Sequence, residues 1–204
     1  MSGSIKQSAE APLKVSQLEA DIKSGKIDTV VVGVTDMHGR LQGKRVHAPF
    51  FLKDTMNHGT EGCNYLLAVD IDMNTVGGYA MSSWDSGYGD MVMAPDFDTL
   101  RYIPWLPGTA MVLADLQKLD HTDVFASPRQ ILIKQIKRLK EMKLIPYVGT
   151  ELEFIVFKDT FEEAWDKGYQ NLIPANQYNV DYSLLGTTRV EGLLRAIRLG
   201  MDGA

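Results

Sequence analysis

Apolar residues recur every three or four positions in some stretches of this chain and crowd into β-branched runs in others, and the alternation lays out its elements. Val15, Leu18 and Ile22 fall on one face of a short amphipathic helix stopped by Gly25. Thr-Val-Val-Val-Gly-Val-Thr over 29–35 predicts a strand, Asp36-Met-His-Gly39 a turn in which Gly39 takes positive φ, and 40–47 the returning strand of a hairpin. A helix is predicted over 50–57, ended by Gly59, with a further apolar run over 64–70. From Asp70 to Asp98 the periodicity dissolves. Asp70, Asp72, Asp85, Asp90, Asp96 and Asp98 are mixed with Gly77, Gly78, Gly87 and Gly89, which reads as a long loop holding one short strand at 91–93. Strands near 100–103 and 109–116 complete a small mixed sheet.

Beyond a boundary at Asp120-His-Thr-Asp123 the pattern changes to alternating helix and strand. Ser127 fits an N-cap and Pro128 the first helical position, and Ile131, Leu132, Ile136, Leu139 and Met142 form an apolar stripe. Strands at 145–148 and 150–157 follow, then a polar segment over 159–177 anchored by Trp165 and Tyr169. The chain closes on a helix marked by Val190, Leu193, Leu194, Ile197 and Met201. The organisation expected is an arm and short helix over 1–27, with residues 1–12 a mobile arm, a small α+β domain over 28–120, and the beginning of an α/β domain over 121–204.

Composition narrows the class. The chain has 204 residues, 45% hydrophobic and 23% charged, with a formal net charge of −5, so neither a nucleic acid nor an anionic membrane is an expected partner. No apolar run is long enough to span a bilayer, and the N-terminus lacks the apolar stretch of a signal peptide. The single cysteine, Cys63, cannot form an internal disulfide and reads as a small core residue of a cytoplasmic protein.

The candidate chemistry centres on Thr-Glu-Leu-Glu-Phe-Ile-Val-Phe over 150–157. On a strand, Glu151 and Glu153 share a face, about 6.5–7 Å apart. Two readings stand. A solvated strand surface explains two glutamates, whereas the long apolar residues on both faces favour a buried strand, whose carboxylates would require a cation. A hard divalent ion, Mg²⁺ or Mn²⁺, suits carboxylate oxygens but takes about six ligands, so these two would be part of its shell. The four histidines, His38, His47, His58 and His121, show no zinc spacing, and neither a phosphate-binding Gly-rich loop nor a Gly-x-Ser-x-Gly elbow occurs. The basic residues Lys134, Lys137, Arg138, Lys140 and Lys143 read as a solvated helix face.

Four stretches together resemble the N-terminal part of the glutamine synthetase family. Thr35-Asp-Met-His-Gly-Arg-Leu-Gln-Gly-Lys-Arg-Val46 is similar to the first hairpin of its small β-grasp domain, and Asp90-Met-Val-Met-Ala-Pro-Asp-Phe-Asp-Thr99 to the acidic segment closing that domain. Ser127-Pro-Arg129 with its helix resembles the start of the catalytic domain, and 149–157 the strand whose two glutamates bind metal. The resemblance implies an α+β chain, with a β-grasp domain over 28–120 followed by the start of a glutamine-synthetase-type catalytic domain. It implies a ligase that uses ATP to phosphorylate the γ-carboxylate of glutamate, which ammonia then attacks. A γ-glutamyl ligase for a polyamine or other amine, and a non-catalytic structural relative, are the alternatives. By position, Glu151 resembles the ligand of the metal at the nucleotide phosphates and Glu153 that of the metal nearer glutamate. Asp70 resembles the aspartate that binds ammonium and takes its proton, and Asp90 a second acidic residue there. Both would serve the active site of a neighbouring subunit, so a homo-oligomer is implied. The family's Asp-Gly-Ser-Ser is replaced by Asp70-Ile-Asp72, which leaves room for an amine substrate and makes Asp72 a competitor for the role of Asp70. Family members are more than twice this length, so the chain is expected to be part of a longer subunit, inactive alone, with its ATP and glutamate contacts elsewhere.

Overall fold

Strand β1 (Thr29–Thr35) is an interior strand of the sheet in a computed structural model that describes residues 13–85 and 87–204. The expected arm over 1–12 lies outside the described residues. β1 pairs antiparallel with β2 (Leu41–His47) and parallel with β5 (Thr109–Gln117), which is antiparallel to β4 (Asp90–Tyr102); β4 in turn pairs with β3 (Thr60–Cys63). The order is β2-β1-β5-β4-β3. The hairpin stands where the β-branched run predicts it, with Gly39 at φ 80°. Gly43 faces Gly33 across the hairpin because a side chain there would meet the Val32 carbonyl oxygen at 2.0 Å.

One face of the sheet is the core. Val30, Val32 and Val34 alternate inward on β1, as do Ala110, Val112, Ala114 and Leu116 on β5. Helix α1 (Val15–Lys23) adds Leu18 and Ile22 to the same cluster and ends where Gly25 turns to φ 77°. A second helix, α2, opens at Ala48–Phe50, widens to a π turn over Phe51–Thr55 and closes at Met56–His58. Ala48, Phe51 and Thr55 form its buried face, and Gly59 ends it at φ 73°.

Two departures from the sequence pattern fall in the acidic region. The run over 64–70 begins as a 3₁₀ turn, Asn64–Leu67. The separate strands expected at 91–93 and 100–103 are one 13-residue strand, β4, whose register slips between Asp96 and Arg101. Thr99 carries the chain across the slip: its hydroxyl donates to the Asp96 carbonyl at 2.6 Å and accepts the Leu113 N–H at 2.8 Å. Aspartates and Pro95 made this stretch look like loop, and the irregular register is what admits them.

Helix α3 (Pro128–Glu141) forms as predicted, but none of its residues is buried and Ser127 makes no side-chain cap. Arg129 instead ties its first turn to the sheet, donating Nε to Asp115 at 2.8 Å and pairing through Nη2 with Asp96.

The chain divides into two compact units, the first extending to Pro146 and the second covering Tyr147–Asp202. In the second, α4 (Phe161–Asp166) starts from a reciprocal cap between Thr160 and Glu163. α5 (Leu184–Thr188) is capped by Ser183, and α6 (Glu191–Asp202) follows the expected apolar spacing. The strands expected at 145–148 and 150–157 are not formed. Only Phe157 bridges, to Pro174, flanked by hydrogen bonds from Lys158 to Ile173 and from Ala175 to Val156. The burial argued for this stretch is also absent, with Leu152 88% and Ile155 73% exposed. A strand is stable only when its N–H and C=O groups find a neighbour's, and among the described residues none runs beside 145–155. No helix among the described residues is long and apolar enough to cross a membrane.

Candidate functional site

The hairpin turn holds a buried carboxylate. Asp36 is 2% exposed, and its Oδ1 accepts the backbone N–H groups of His38 and Arg40, each at 2.9 Å. Its Oδ2 accepts Arg40 Nε at 2.7 Å and Gln42 Nε2 at 3.2 Å. Burial pushes this carboxyl up, but the Arg40 and Gln42 side chains and the two backbone donors outweigh it and hold it at about 2. The ordinary value is 3.8, so the folded chain binds fewer protons here than the unfolded one. The stabilisation is complete above the ordinary value and drains away as pH falls toward 2; it amounts to about 2 kcal/mol. Urea unfolding between about pH 6 and pH 3 should show the wild type losing stability that Asp36→Asn does not lose, and parallel profiles would refute this account.

From the turn, Arg40 reaches the acidic segment. Its Nη1 donates to the Ile71 carbonyl at 2.6 Å and its Nη2 to the Asp70 carbonyl at 3.1 Å. His38 Nε2 lies 3.1 Å from the Val69 carbonyl. Asp70 sits at the head of a tight turn that its own side chain closes: Oδ1 accepts the N–H groups of Asp72 (2.9 Å) and Asn74 (2.8 Å), and Oδ2 accepts Asn74 Nδ2 at 3.2 Å. These bonds, chiefly those from Asn74, lower its pKa. A carboxylate has about four acceptor positions, so three turn bonds leave one open, on Oδ2. Asp72 donates its backbone N–H to Asp70, and its side chain is exposed.

Asp90 opens β4 opposite Cys63 with its side chain exposed and, among the described residues, unpaired. Between Asp70 and Asp90 aromatic contacts and a side-chain hydrogen bond tie parts of the loop together. Tyr88 meets Trp84 edge to face at 5.1 Å and Tyr65 at 6.4 Å, and Asn64 Nδ2 holds the Met81 carbonyl at 3.0 Å.

Glu151 and Glu153 belong to the second unit. Both are exposed, on extended backbone outside any sheet, and among the described residues their carboxylates have no hydrogen-bonding or ionic partner. Unpaired carboxylate oxygens are the right donors for Mg²⁺ or Mn²⁺, and two supply about a third of a six-coordinate shell. Among the described residues no three of His, Cys, Asp and Glu gather closely enough to hold a metal ion. Glu151 and Glu153 thus stand two residues apart on an extended stretch, with their carboxylates exposed.

Sequence reasoning assigned no role to Arg40 or Arg129, each of which joins two acidic segments. The signal for Arg40 was present: an aspartate four residues ahead of an arginine, across a glycine turn, is an ion pair in waiting.

Residues 125–203 match the family described as glutamine synthetase, catalytic domain. Over 193 residues, 95% of this chain, the sequence is 63% identical to gamma-glutamylethanolamide synthetase GlnA4 of Streptomyces coelicolor. It is 30% identical over 97% of its length to a glutamate–isopropylamine ligase of a Pseudomonas species. A solved glutamine synthase homologue aligns with 57% of this chain and 27% of its own at 20% identity and a TM-score of 0.49. The chain spans 42% and 43% of the two curated relatives. The 63% identity over 95% of the chain, together with the family match over residues 125–203, places this chain in the glutamine synthetase family.

Proposed function

We propose that the protein carrying this chain is an ATP-dependent ligase that joins the γ-carboxylate of glutamate to an amine through a γ-glutamyl phosphate. The observation that carries the reading is the 63% identity, over nearly the whole chain, to a gamma-glutamylethanolamide synthetase. It moves an amine ahead of ammonia, in line with the departure at Asp70-Ile-Asp72. The sheet order, with β1 and β5 parallel at its centre and α2 following the first hairpin, supports reading the small domain as a β-grasp.

In this reading a γ-carboxylate oxygen attacks the terminal phosphorus of ATP and ADP leaves. The amine nitrogen then attacks the γ-carbonyl carbon, the bond to the phosphate oxygen breaks, and the nitrogen loses a proton. Glu151 and Glu153 would each contribute oxygens to bound Mg²⁺ or Mn²⁺, which neutralises charge on the transferring phosphoryl group. Asp70 stays anionic throughout the neutral range, because its turn bonds favour the charged form, and its open Oδ2 position can accept an ammonium N–H. Asp90 adds a second negative charge. Selection between ammonia and a larger amine would depend on the loop around Trp84 and Gly89 and on residues this chain does not contain. Both aspartates would serve a neighbouring subunit in a homo-oligomer, and the 147–157 segment would be completed as a strand by residues beyond this chain.

The test is an assay of the full-length protein with glutamate, ATP, Mg²⁺ or Mn²⁺ and, in turn, ethanolamine, isopropylamine and ammonia. We expect ADP, phosphate and the γ-glutamyl amide in equal amounts, fastest with an organic amine. Failure to form amide with any of the three from folded protein would overturn the proposal, and turnover restricted to ammonia would restore the glutamine-forming reading.

A further inference from the structure

We propose that Arg40 is a positioning residue for the amine: anchored on Asp36, its guanidinium fixes the backbone at Asp70 and Ile71 so that the Asp70 carboxylate presents its open oxygen position to the nitrogen. The inference rests on the reading of Asp70 given above. Its basis is how the exposed turn is held. Ile71, Asp72 and Asn74 are exposed, so apolar packing does not fix the turn. The bonds from the Asp70 side chain close the turn locally but do not set where it points. Its base rests on buried Ala68 and Val69 and the Val69–Thr75 bridge; above that base it is tied to the hairpin residue by residue: His38 on the Val69 carbonyl, Arg40 on those of Asp70 and Ile71, and Gln42 Nε2 at 3.3 Å from Met73 Sδ.

Arg40 is the strongest of these links because it is itself fixed. Its Nε is paired with a carboxylate that two backbone N–H groups already hold, leaving both terminal nitrogens aimed at successive carbonyls. A planar fork with one edge locked delivers direction as well as attraction, which a lysine ammonium cannot reproduce. A displacement of about 1 Å in a positioned group is enough to cost catalysis dearly, and a surface turn tied only by its own bonds would have that freedom.

The experiment uses the full-length protein and whichever amine turns over fastest in the preceding assay. KM for amine, glutamate and ATP is measured in wild type, Arg40→Lys, Arg40→Met, Asp70→Asn and the Arg40→Met/Asp70→Asn double variant. We expect Arg40→Met to raise the amine KM by about tenfold or more while the other two KM values stay within about twofold, with Arg40→Lys intermediate. In the Asp70→Asn background, Arg40→Met should change the amine KM little further, since the group it positions is already altered. Equal changes in all three KM values, or a full Arg40 effect in the Asp70→Asn background, would reduce Arg40 to a structural staple and overturn the inference. An impaired Asp70→Asn beside unimpaired Arg40 variants would overturn it while sparing the role of Asp70. A wild-type amine KM in Asp70→Asn would remove that role and the inference together. Should Arg40→Met fail to fold with Asp36 left unpaired, Arg40→Lys carries the same decision.

Discussion

Alanine at Glu153 in the full-length protein is expected to lower γ-glutamyl transfer by about 10²–10³-fold, the scale on which one electrostatic stabiliser of a transition state is lost. Glu151→Ala should cost as much but differ in kind. The Glu151 variant should show its defect chiefly against ATP concentration and the Glu153 variant against glutamate, because the family resemblance would put the first carboxylate on the nucleotide side and the second on the glutamate side. Neither change should disturb folding of the metal-free protein by more than about 0.5 kcal/mol, the usual range for exposed positions outside any network. Here both carboxylates are exposed and unpaired. The wild type should gain thermal stability on adding Mn²⁺, and the variants should lose that gain. Full activity in Glu153→Ala would end the assignment, and so would an undiminished Mn²⁺ shift in the Glu151→Ala, Glu153→Ala double variant.

The largest expected loss of stability lies at Phe51. Its ring is completely buried where α2 widens into its π turn, within the cluster that includes Leu18, Val32, Met93 and Leu116. Phe51→Ala removes the transfer energy of the ring and leaves a cavity that the surrounding sheet cannot close, a cost of about 3–5 kcal/mol. Domains of ordinary size have about 5–15 kcal/mol in total, so the variant should melt far below wild type or fail to accumulate folded. Denaturant unfolding with an unchanged m-value reads the loss directly. A shift below about 1 kcal/mol would mean that α2 repacks without its anchor.

Both elements were partly legible in the sequence, for different reasons. The hairpin, α1, β5, α3 and the closing helix could be read from period alone, since each carries its own apolar spacing and most its own stop at a glycine or proline. The helix over 48–58 was legible too, but not its π turn, which depends on how Phe51 and Thr55 fit the sheet. What escaped was set by partners distant in sequence. β4 looked like loop because Asp96 is accommodated by Arg129, 33 residues further along the chain, a pairing that nothing local advertises. The strand expected at 150–157 is not formed: alternation alone does not supply a neighbour, and among the described residues none is there, so most of its apolar side chains and both glutamates stay in solvent. Asp70 was singled out for chemistry, yet much of its hydrogen-bonding capacity closes a turn, and the arginine that holds that turn was passed over. Alternation and spacing report what an element can be; the tether that aims it is written 30 residues away.

The open segment around Glu151 and Glu153 has a further consequence for how such a protein is made. The first unit has a closed core and can fold while later residues are still being synthesised. The 147–157 stretch then waits, rich in β-formers and stripped of neighbours, in the condition from which identical chains stack edge to edge. In-register stacking would set each glutamate about 4.8 Å from its own copy in the next chain, and that repulsion works against the stack. Two carboxylates set side by side in a stretch rich in β-formers thus oppose its stacking on copies of itself.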